Sequence, residues 1–292
     1  MIRKRLAITL AFLVVSAACG RAEDVQPPVA TPAVTLSQSN IAIGSPVDIT
    51  YRFEVAREAP PSPDEYLVFV HFMDSDGELM WTDDHPPPTP VRQWRPGSLV
   101  EYTRTIFIPK FPYVGEASVE VGIFSPQTGE RLPLSAQTDG QRSYRVATFN
   151  LRLQTDNLFV VFRDGWHETE VPDDGSGFEW QWSRGTAMLS FRNPRRDVVV
   201  FLQVDQPVSA FPEPQRVEVR LGQAVIDSFP LPPGDRLLRR FSLTTAQLGS
   251  AEMVDLALVV DKTFVPAAIP ALRSTDPREL GIRVFRAFVQ PS

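Results

Sequence analysis

The sequence predicts an all-β protein: two β-sandwiches in succession, placed behind an N-terminal export signal. Three observations carry this expectation. Short runs with a two-residue apolar period recur along the chain, the spacing that puts one face of a strand in a core and the other in water. Its 28 prolines and 16 glycines are spread between those runs with hardly any helical periodicity, as expected of many turns joining short strands. The first twenty residues form a basic head, an apolar stretch and a small-residue ending, and they stand apart from everything that follows.

That N-terminal segment reads Met1 to Arg5 with three basic residues, then a mostly apolar run from Leu6 to Val15, then Ser16-Ala17-Ala18-Cys19-Gly20. The run is too short to span a bilayer comfortably, so residues 1–18 are expected to be a cleaved signal peptide. Ser-Ala-Ala-Cys resembles the lipobox of bacterial lipoproteins, with Ser16 where an aliphatic residue is usual. The resemblance implies that Cys19 carries a diacylglycerol and an acylated amino terminus. Acyl chains contribute about 0.8 kcal/mol per buried methylene, so several of them make a lasting anchor. Cys19 is the single cysteine of the 292 residues, and disulfides therefore play no part. The expected location is the outer side of the bacterial cytoplasmic membrane or the outer membrane, since Gly20 is not the aspartate that resembles an inner-membrane retention signal. Residues 19–32, with three prolines and no apolar period, read as a lipidated tether.

Lys and Arg total 29 against 35 Asp and Glu, a net charge of −6 with both signs mixed. No basic stripe offers a track for nucleic acid. At 43% hydrophobic the mature chain can bury sizeable cores, and its length suits two domains. Those domains are expected over residues 33–147 and 148–292.

In the first, Val47 to Val55 alternates five apolar with four polar residues. Tyr66 to Met73 is apolar on both faces, as a central strand would be. Asp74-Ser75-Asp76-Gly77 reads as a turn and Leu79 to Thr82 as the returning strand. Val100 to Ile108, Ala117 to Phe124 and Ser143 to Leu153 bring the set to roughly the seven strands an immunoglobulin-like sandwich needs. Val68-Phe69-Val70-His71-Phe72, the Trp94-Arg95-Pro96-Gly97 turn and the Gly122 to Leu132 stretch resemble β-sandwich modules that accompany bacterial membrane glycosyltransferases and other envelope proteins.

The second domain offers nine candidate strands: Leu158 to Phe162, Phe178 to Trp182, Thr186 to Phe191, Val198 to Val204, Arg216 to Leu221, Ala224 to Phe229, Leu237 to Leu243, Val254 to Val260 and Ile282 to Val289. That number of short strands favours a jelly roll. Thr244 to Gly249 is expected to make one capped helical turn. Gly165-Trp166-His167-Glu168-Thr169-Glu170, Trp180-Gln181-Trp182-Ser183 and Asp276 to Ile282 resemble, in wording and order, the galactose-binding-like jelly rolls of bacterial polysaccharide and glycosyltransferase systems. Members of that superfamily often bind sugars at loop ends, and many do not.

Candidate glycan-binding residues follow. Trp180 and Trp182, with Phe178 in line, share a strand face and could stack on sugar rings or fill the core instead. Trp166, His167 and Glu168 lie in what reads as a loop, where they would either recognise a ligand or latch the end of the barrel. Asp276 and Arg278 could present hydrogen bonds to hydroxyls or form a structural ion pair, with Gly281 giving the turn freedom. His71, Asp83, Asp84 and His85 are the one histidine–carboxylate group to weigh as a metal site. Strand and proline neighbours argue against it, so no metal is expected. The Asp74 to Glu78 turn lacks the later glutamate of a calcium loop.

No nucleophile elbow, phosphate loop or dinucleotide fingerprint is present, and no cofactor is expected. The leading functional expectation is a non-enzymatic envelope lipoprotein that binds or positions a glycan beside polysaccharide-synthesis machinery. Two alternatives stay open: a scaffold docking a membrane protein, and a glycan-active enzyme whose paired carboxylates would meet only in space.

Overall fold

A computed structural model describes residues 26–60, 65–154, 158–172, 179–206, 210–234 and 236–291. The signal segment, Cys19 and Phe178 lie outside the described residues. Nearly all regular structure is β, and each half of the chain forms two sheets that face one another across a core.

The first half contains β1 (Ala30–Leu36), β2 (Asn40–Ala42), β3 (Pro46–Val55), β4 (Leu67–Met73), β5 (Leu79–Thr82), β6 (Leu99–Phe107), β7 (Gly115–Phe124), β8 (Arg131–Leu132), β9 (Thr138–Gly140) and β10 (Ser143–Arg152). One sheet is ordered β1-β3-β6, and the other β2-β10-β7-β4-β5, with β8 and β9 as short additions. β2 runs parallel to β10 while the other pairs are antiparallel. The division of strands, first, third and sixth against fourth, seventh and tenth, is the two-sheet order of an immunoglobulin-like sandwich. The period-two pattern of β3 puts Val47, Ile49, Tyr51, Phe53 and Val55 in the core. From the other sheet Val68, Val70 and Phe72 of β4 enter the same core. Phe69, on the opposite face of β4, lies over Gly122 of β7, where any Cβ would run into its ring. The guanidinium of Arg131 covers Phe69 at 4.5 Å, so an apolar outer residue is shielded without a second core.

Strand β1 begins inside the stretch read as tether. Val29 and Ala30 are buried, and Ala30 to Leu36 pair in register with Val55 to Ile49. Prolines at 27, 28 and 32 mask the pattern, but β1 is an edge strand, where a missing N–H costs no ladder bond if it faces outward.

The second half contains β11 (Val161–Phe162), β12 (Gln181–Trp182), β13 (Thr186–Arg192), β14 (Val198–Asp205), β15 (Gln215–Leu221), β16 (Ala224–Leu231), β17 (Leu237–Leu243), α1 (Thr245–Leu248), β18 (Met253–Val260) and β19 (Arg283–Pro291). Sheets ordered β11-β13-β18-β15-β16 and β12-β19-β14-β17 pack face to face, and all their pairings are antiparallel. This is a jelly-roll arrangement. The core is made by the inward residues of both sheets, among them Leu189, Phe191, Val200, Leu202, Val217, Val219, Leu256 and Val284. The single α-helical turn among the described residues carries a capping box: Thr244 Oγ1 accepts from the Gln247 N–H, and the Gln247 side-chain oxygen accepts from the Thr244 N–H. Strands β11 and β12 are much shorter than their apolar runs suggest. Phe159 is 72% exposed, so the run before β11 is apolar without being core.

The outer face of the four-stranded sheet meets the first sandwich. Phe107 at the end of β6 packs edge-on against Phe201 and Phe288, each at 6.1 Å. Arg240 reaches Asp48 at 3.0 Å beside that cluster. Phe201 is thereby only 3% exposed although it points away from its own core.

His71, Asp83, Asp84 and His85, weighed as a metal group, do other work. His85 is 3% exposed; its Nδ1 lies 2.7 Å from the Asp83 carbonyl, so it carries the proton, and Nε2 accepts from the Tyr102 hydroxyl at 2.9 Å. Arg104 grips the Asp83 carboxylate through two bonds of 3.0 and 2.9 Å. Asp84 accepts from the Val70 N–H. Burial, with the Arg104 charge adding to it, holds His85 below the ordinary imidazole value of 6.5. The unfolded chain takes up a proton at that value while the folded chain resists it. The unfolded state therefore binds more protons just below pH 6.5, and stability falls as pH drops through that window. His71, also lowered by burial, adds in the same direction. Thermal melts are expected to show a lower Tm at about pH 5.5 than at about pH 7.5. His85→Gln should shrink that difference, and an undiminished difference in the variant would refute the assignment.

Candidate functional site

Three segments far apart in sequence build one end of the second sandwich. Gly165 to Glu170 runs as an extended ribbon antiparallel to Trp180 to Arg184, bridged at Trp166↔Ser183 and Glu170↔Trp180. Its backbone bonds are Arg184 N–H to Gly165 O at 2.8 Å, His167 N–H to Trp182 O at 2.9 Å and Glu170 N–H to Trp180 O at 2.8 Å. The third segment, Asp276 to Ile282, closes on the other side: Gly281 N–H donates to Ser183 O, and Ile282 N–H to Ser183 Oγ.

Two glycines permit this approach. Gly165 has φ +84, and a Cβ there would overlap the Thr186 carbonyl oxygen and lie 2.7 Å from Ala187 Cα. Gly281 was expected to free a turn, but its φ is not in the left-handed region. What matters there is space, since a Cβ would sit 2.7 Å from Arg184 O.

Glu170 ties the segments together. Its Oε2 accepts the indole N–H of Trp180 at 3.1 Å and of Trp182 at 3.3 Å, and its Oε1 accepts Arg278 Nη2 at 2.7 Å. Asp276 takes Arg278 Nε at 3.0 Å and Nη2 at 2.6 Å, and also accepts the Arg278 backbone N–H. The Arg278 hydrogen bonds hold the Asp276 carboxyl below its usual range, and that carboxylate in turn raises the guanidinium. Asp276 and Arg278 thus form the structural ion pair, with Arg278 Nη1 left without a protein partner among the described residues.

The two strand tryptophans do share a face, as their joint bond to Glu170 requires, but that face is not an open platform. Trp182 is 7% exposed and packs edge-on against Phe264 at 5.7 Å. Trp180 lies against Phe285 at 5.9 Å, with Arg283 over both indoles. The loops around 211 and 264–280 cover this face with a small apolar cluster of their own. Trp182 therefore fills the core and does not stack on a ligand, because burial leaves no ring surface to offer.

Trp166, His167, Glu168 and Arg278 come together instead, and with Arg184 and Glu279 they line an open cleft of about 500 Å³, a size that accommodates a small ligand. Trp166 is half-buried: its N–H donates to Met188 O at 2.7 Å, and Phe162 meets its ring edge at 4.6 Å. It latches the barrel end and walls the cleft at once. His167 Nε2 donates to Glu279 O at 2.8 Å, which leaves Nδ1 for another partner. The side chains of Glu168 and Arg184 make no hydrogen bond or ion pair among the described residues, whereas Glu279 Oε1 accepts from Thr263 at 2.8 Å. Residues missed by sequence reasoning, Glu170, Arg184 and Glu279, sit within or beside the motifs that were quoted. The signal was the motif as a whole, not its aromatic members.

Fold and cleft together define a two-sandwich protein with a mixed polar and aromatic cleft at one jelly-roll end. No family model matches the chain, and no curated protein matches it. Among solved structures, it is similar to the N-terminal CBM22-1–CBM22-2 tandem domain of Paenibacillus barcinonensis Xyn10C, at 9% identity and TM-score 0.27, over 90% of this chain and 92% of that one. It is also similar to the C-terminal domain of wzt, at 9% identity and TM-score 0.30, over 44% of this chain and 77% of that one. A third likeness is to Pseudomonas fluorescens alkylpurine DNA glycosylase AlkC bound to DNA, at 17% identity and TM-score 0.25, over 43% of this chain and 31% of that one. Overlaps this slight assign neither ligand nor activity.

Gly165→Ala is expected to destabilise the second sandwich by more than about 2 kcal/mol, combining backbone strain with a clash that rigid neighbours cannot relieve. Denaturant melts measure it, and an unchanged midpoint would show that the ribbon does not need its close approach.

Proposed function

We propose that this chain is a cell-envelope lipoprotein, anchored through Cys19, that binds a glycan in the cleft at the end of its second sandwich. The observation that carries the reading is the cleft itself: half-buried Trp166 forms an aromatic part of its wall, while Arg184, Glu168, His167 Nδ1 and Arg278 Nη1 have no protein partner among the described residues. Sugars present that combination, with apolar C–H faces flanked by hydroxyls that both donate and accept. The resemblance of Gly165 to Glu170 and Asp276 to Ile282 to galactose-binding-like jelly rolls of bacterial polysaccharide and glycosyltransferase systems supports the same ligand class and a place beside polysaccharide-synthesis machinery.

Calorimetry with envelope polysaccharide fragments tests it. Arg184→Ala removes an exposed side chain with no hydrogen-bond or ion-pair partner among the described residues, so the fold should persist while affinity drops about tenfold, the cost of losing a charged hydrogen bond. Unchanged affinity in that variant, or no binding to any fragment, would overturn the proposal.

One observation favours a second reading. Glu168 and Glu279 both line the cleft, and two carboxyl groups across a groove are what glycoside hydrolysis uses. A binder releases no reducing ends on long incubation with its glycan. Release that disappears in Glu168→Gln would make the protein an enzyme.

The anchor is tested separately. Cys19→Ala is expected to move the protein from the membrane pellet to the soluble fraction, and metabolic labelling with a fatty-acid analogue should be lost in the same variant. Membrane retention without the cysteine would remove lipidation from the account.

A further inference from the structure

The first sandwich carries a second pocket, about 250 Å³, between the edge strand β6 and the loop that precedes it. Among the described residues β6 pairs with β3 alone, so no described strand lies along its other edge. The segment from Pro88 to Arg95 stands opposite and leaves a gap instead of a ladder.

The gap is built from fixed parts. Trp94 follows a 3-10 turn (Val91–Gln93) pinned by the buried Val91. Its indole N–H donates to Thr89 O at 2.9 Å, and its ring packs on Phe53 at 5.0 Å. The next residues turn sharply: Ser98 N–H donates to Arg95 O across Pro96 and Gly97, whose φ is +77. That is the proline-then-glycine order of a type II turn, and it feeds the chain directly into β6. Tyr102, on the far wall, is held by its hydroxyl bond to buried His85 and by stacking on Tyr51 at 5.2 Å.

Around these rings the polar side chains are unspent. Arg95, Glu101 and Gln93 line the pocket, and none has a side-chain hydrogen bond or ion pair among the described residues. We propose that this pocket is a second carbohydrate site, taking a single neutral sugar ring against Trp94 with Glu101 and Arg95 bonding its hydroxyls. Immobilised aromatics lose no freedom on binding, and an unpaired carboxylate and guanidinium together match a hydroxyl pair without demanding a charged ligand. The ligand class is that of the proposed function, but the site shares no residue with the jelly-roll cleft, so the two stand or fall separately.

The test uses the full-length protein in detergent micelles with ¹⁵N-labelled tryptophan, whose five indole N–H signals report each ring. Maltose, cellobiose and diacetylchitobiose are the probes, added to the millimolar range. At least one is expected to move the Trp94 signal, identified by its absence in Trp94→Phe, and to do so equally in the Arg184→Ala background. The double variant Glu101→Gln, Arg95→Gln, which leaves both rings in place, should weaken that response about tenfold. A Trp94 signal that stays fixed with all three sugars, or a response undiminished in the double variant, overturns the second site. Movement of the Trp166 signal alone would leave the jelly-roll cleft standing and remove this one.

Discussion

The Glu170 carboxylate is the point on which the end of the second sandwich depends. One oxygen accepts two indole N–H groups and the other accepts a guanidinium, so three chain segments separated by as many as 108 positions are held by one side chain. Buried or half-buried indoles need acceptors, and a carboxylate serves both through one oxygen while its second oxygen takes the guanidinium, where an amide would turn an NH2 donor toward that cation. Because Glu170 and Asp276 together saturate most of Arg278, the guanidinium becomes a fixed wall of the cleft, not a mobile arm.

That arrangement separates the roles of the aromatic residues. Trp180 and Trp182 spend their polar edge on Glu170 and their faces on Phe285, Arg283 and Phe264. Trp166 spends its N–H on Met188 but still borders open space. The same residue type thus stabilises in two places and borders a cleft in a third. Strand parity alone cannot distinguish them, since all three depend on loops from elsewhere in the chain that cover two rings and leave one accessible.

Both sandwiches use a comparable device at their ends. In the first, a proline-rich loop faces the free edge of β6, and Trp94 is set on Phe53 while its N–H bonds the loop backbone. In the second, the Gly165 ribbon and the Asp276 loop face the end of the sheet. The region between them is a close aromatic contact of Phe107 with Phe201 and Phe288, joined by the Arg240–Asp48 ion pair. An outward-facing phenylalanine such as Phe201 would be a liability on an isolated sheet, and contact with the first sandwich removes that exposed surface.

The sequence by itself determined the fold class and most strands. Period-two runs such as Val47 to Val55 and Val198 to Val204 have one physical meaning, and turns such as Asp74 to Gly77 and Thr244 to Gly249 announce themselves by side-chain chemistry. It also singled out stretches, Gly165 to Glu170 and Asp276 to Ile282, that do border one cleft. It could not see β1, whose prolines are tolerated at a sheet edge, nor the short lengths of β11 and β12, because exposed apolar runs look like core ones. Tertiary structure alone decided which tryptophan borders a cleft, that Asp276 and Arg278 satisfy each other, and that Arg184 lines the cleft with no partner among the described residues. Each of those outcomes turns on contacts between segments remote in the chain, and local pattern carries no record of what will fold against it.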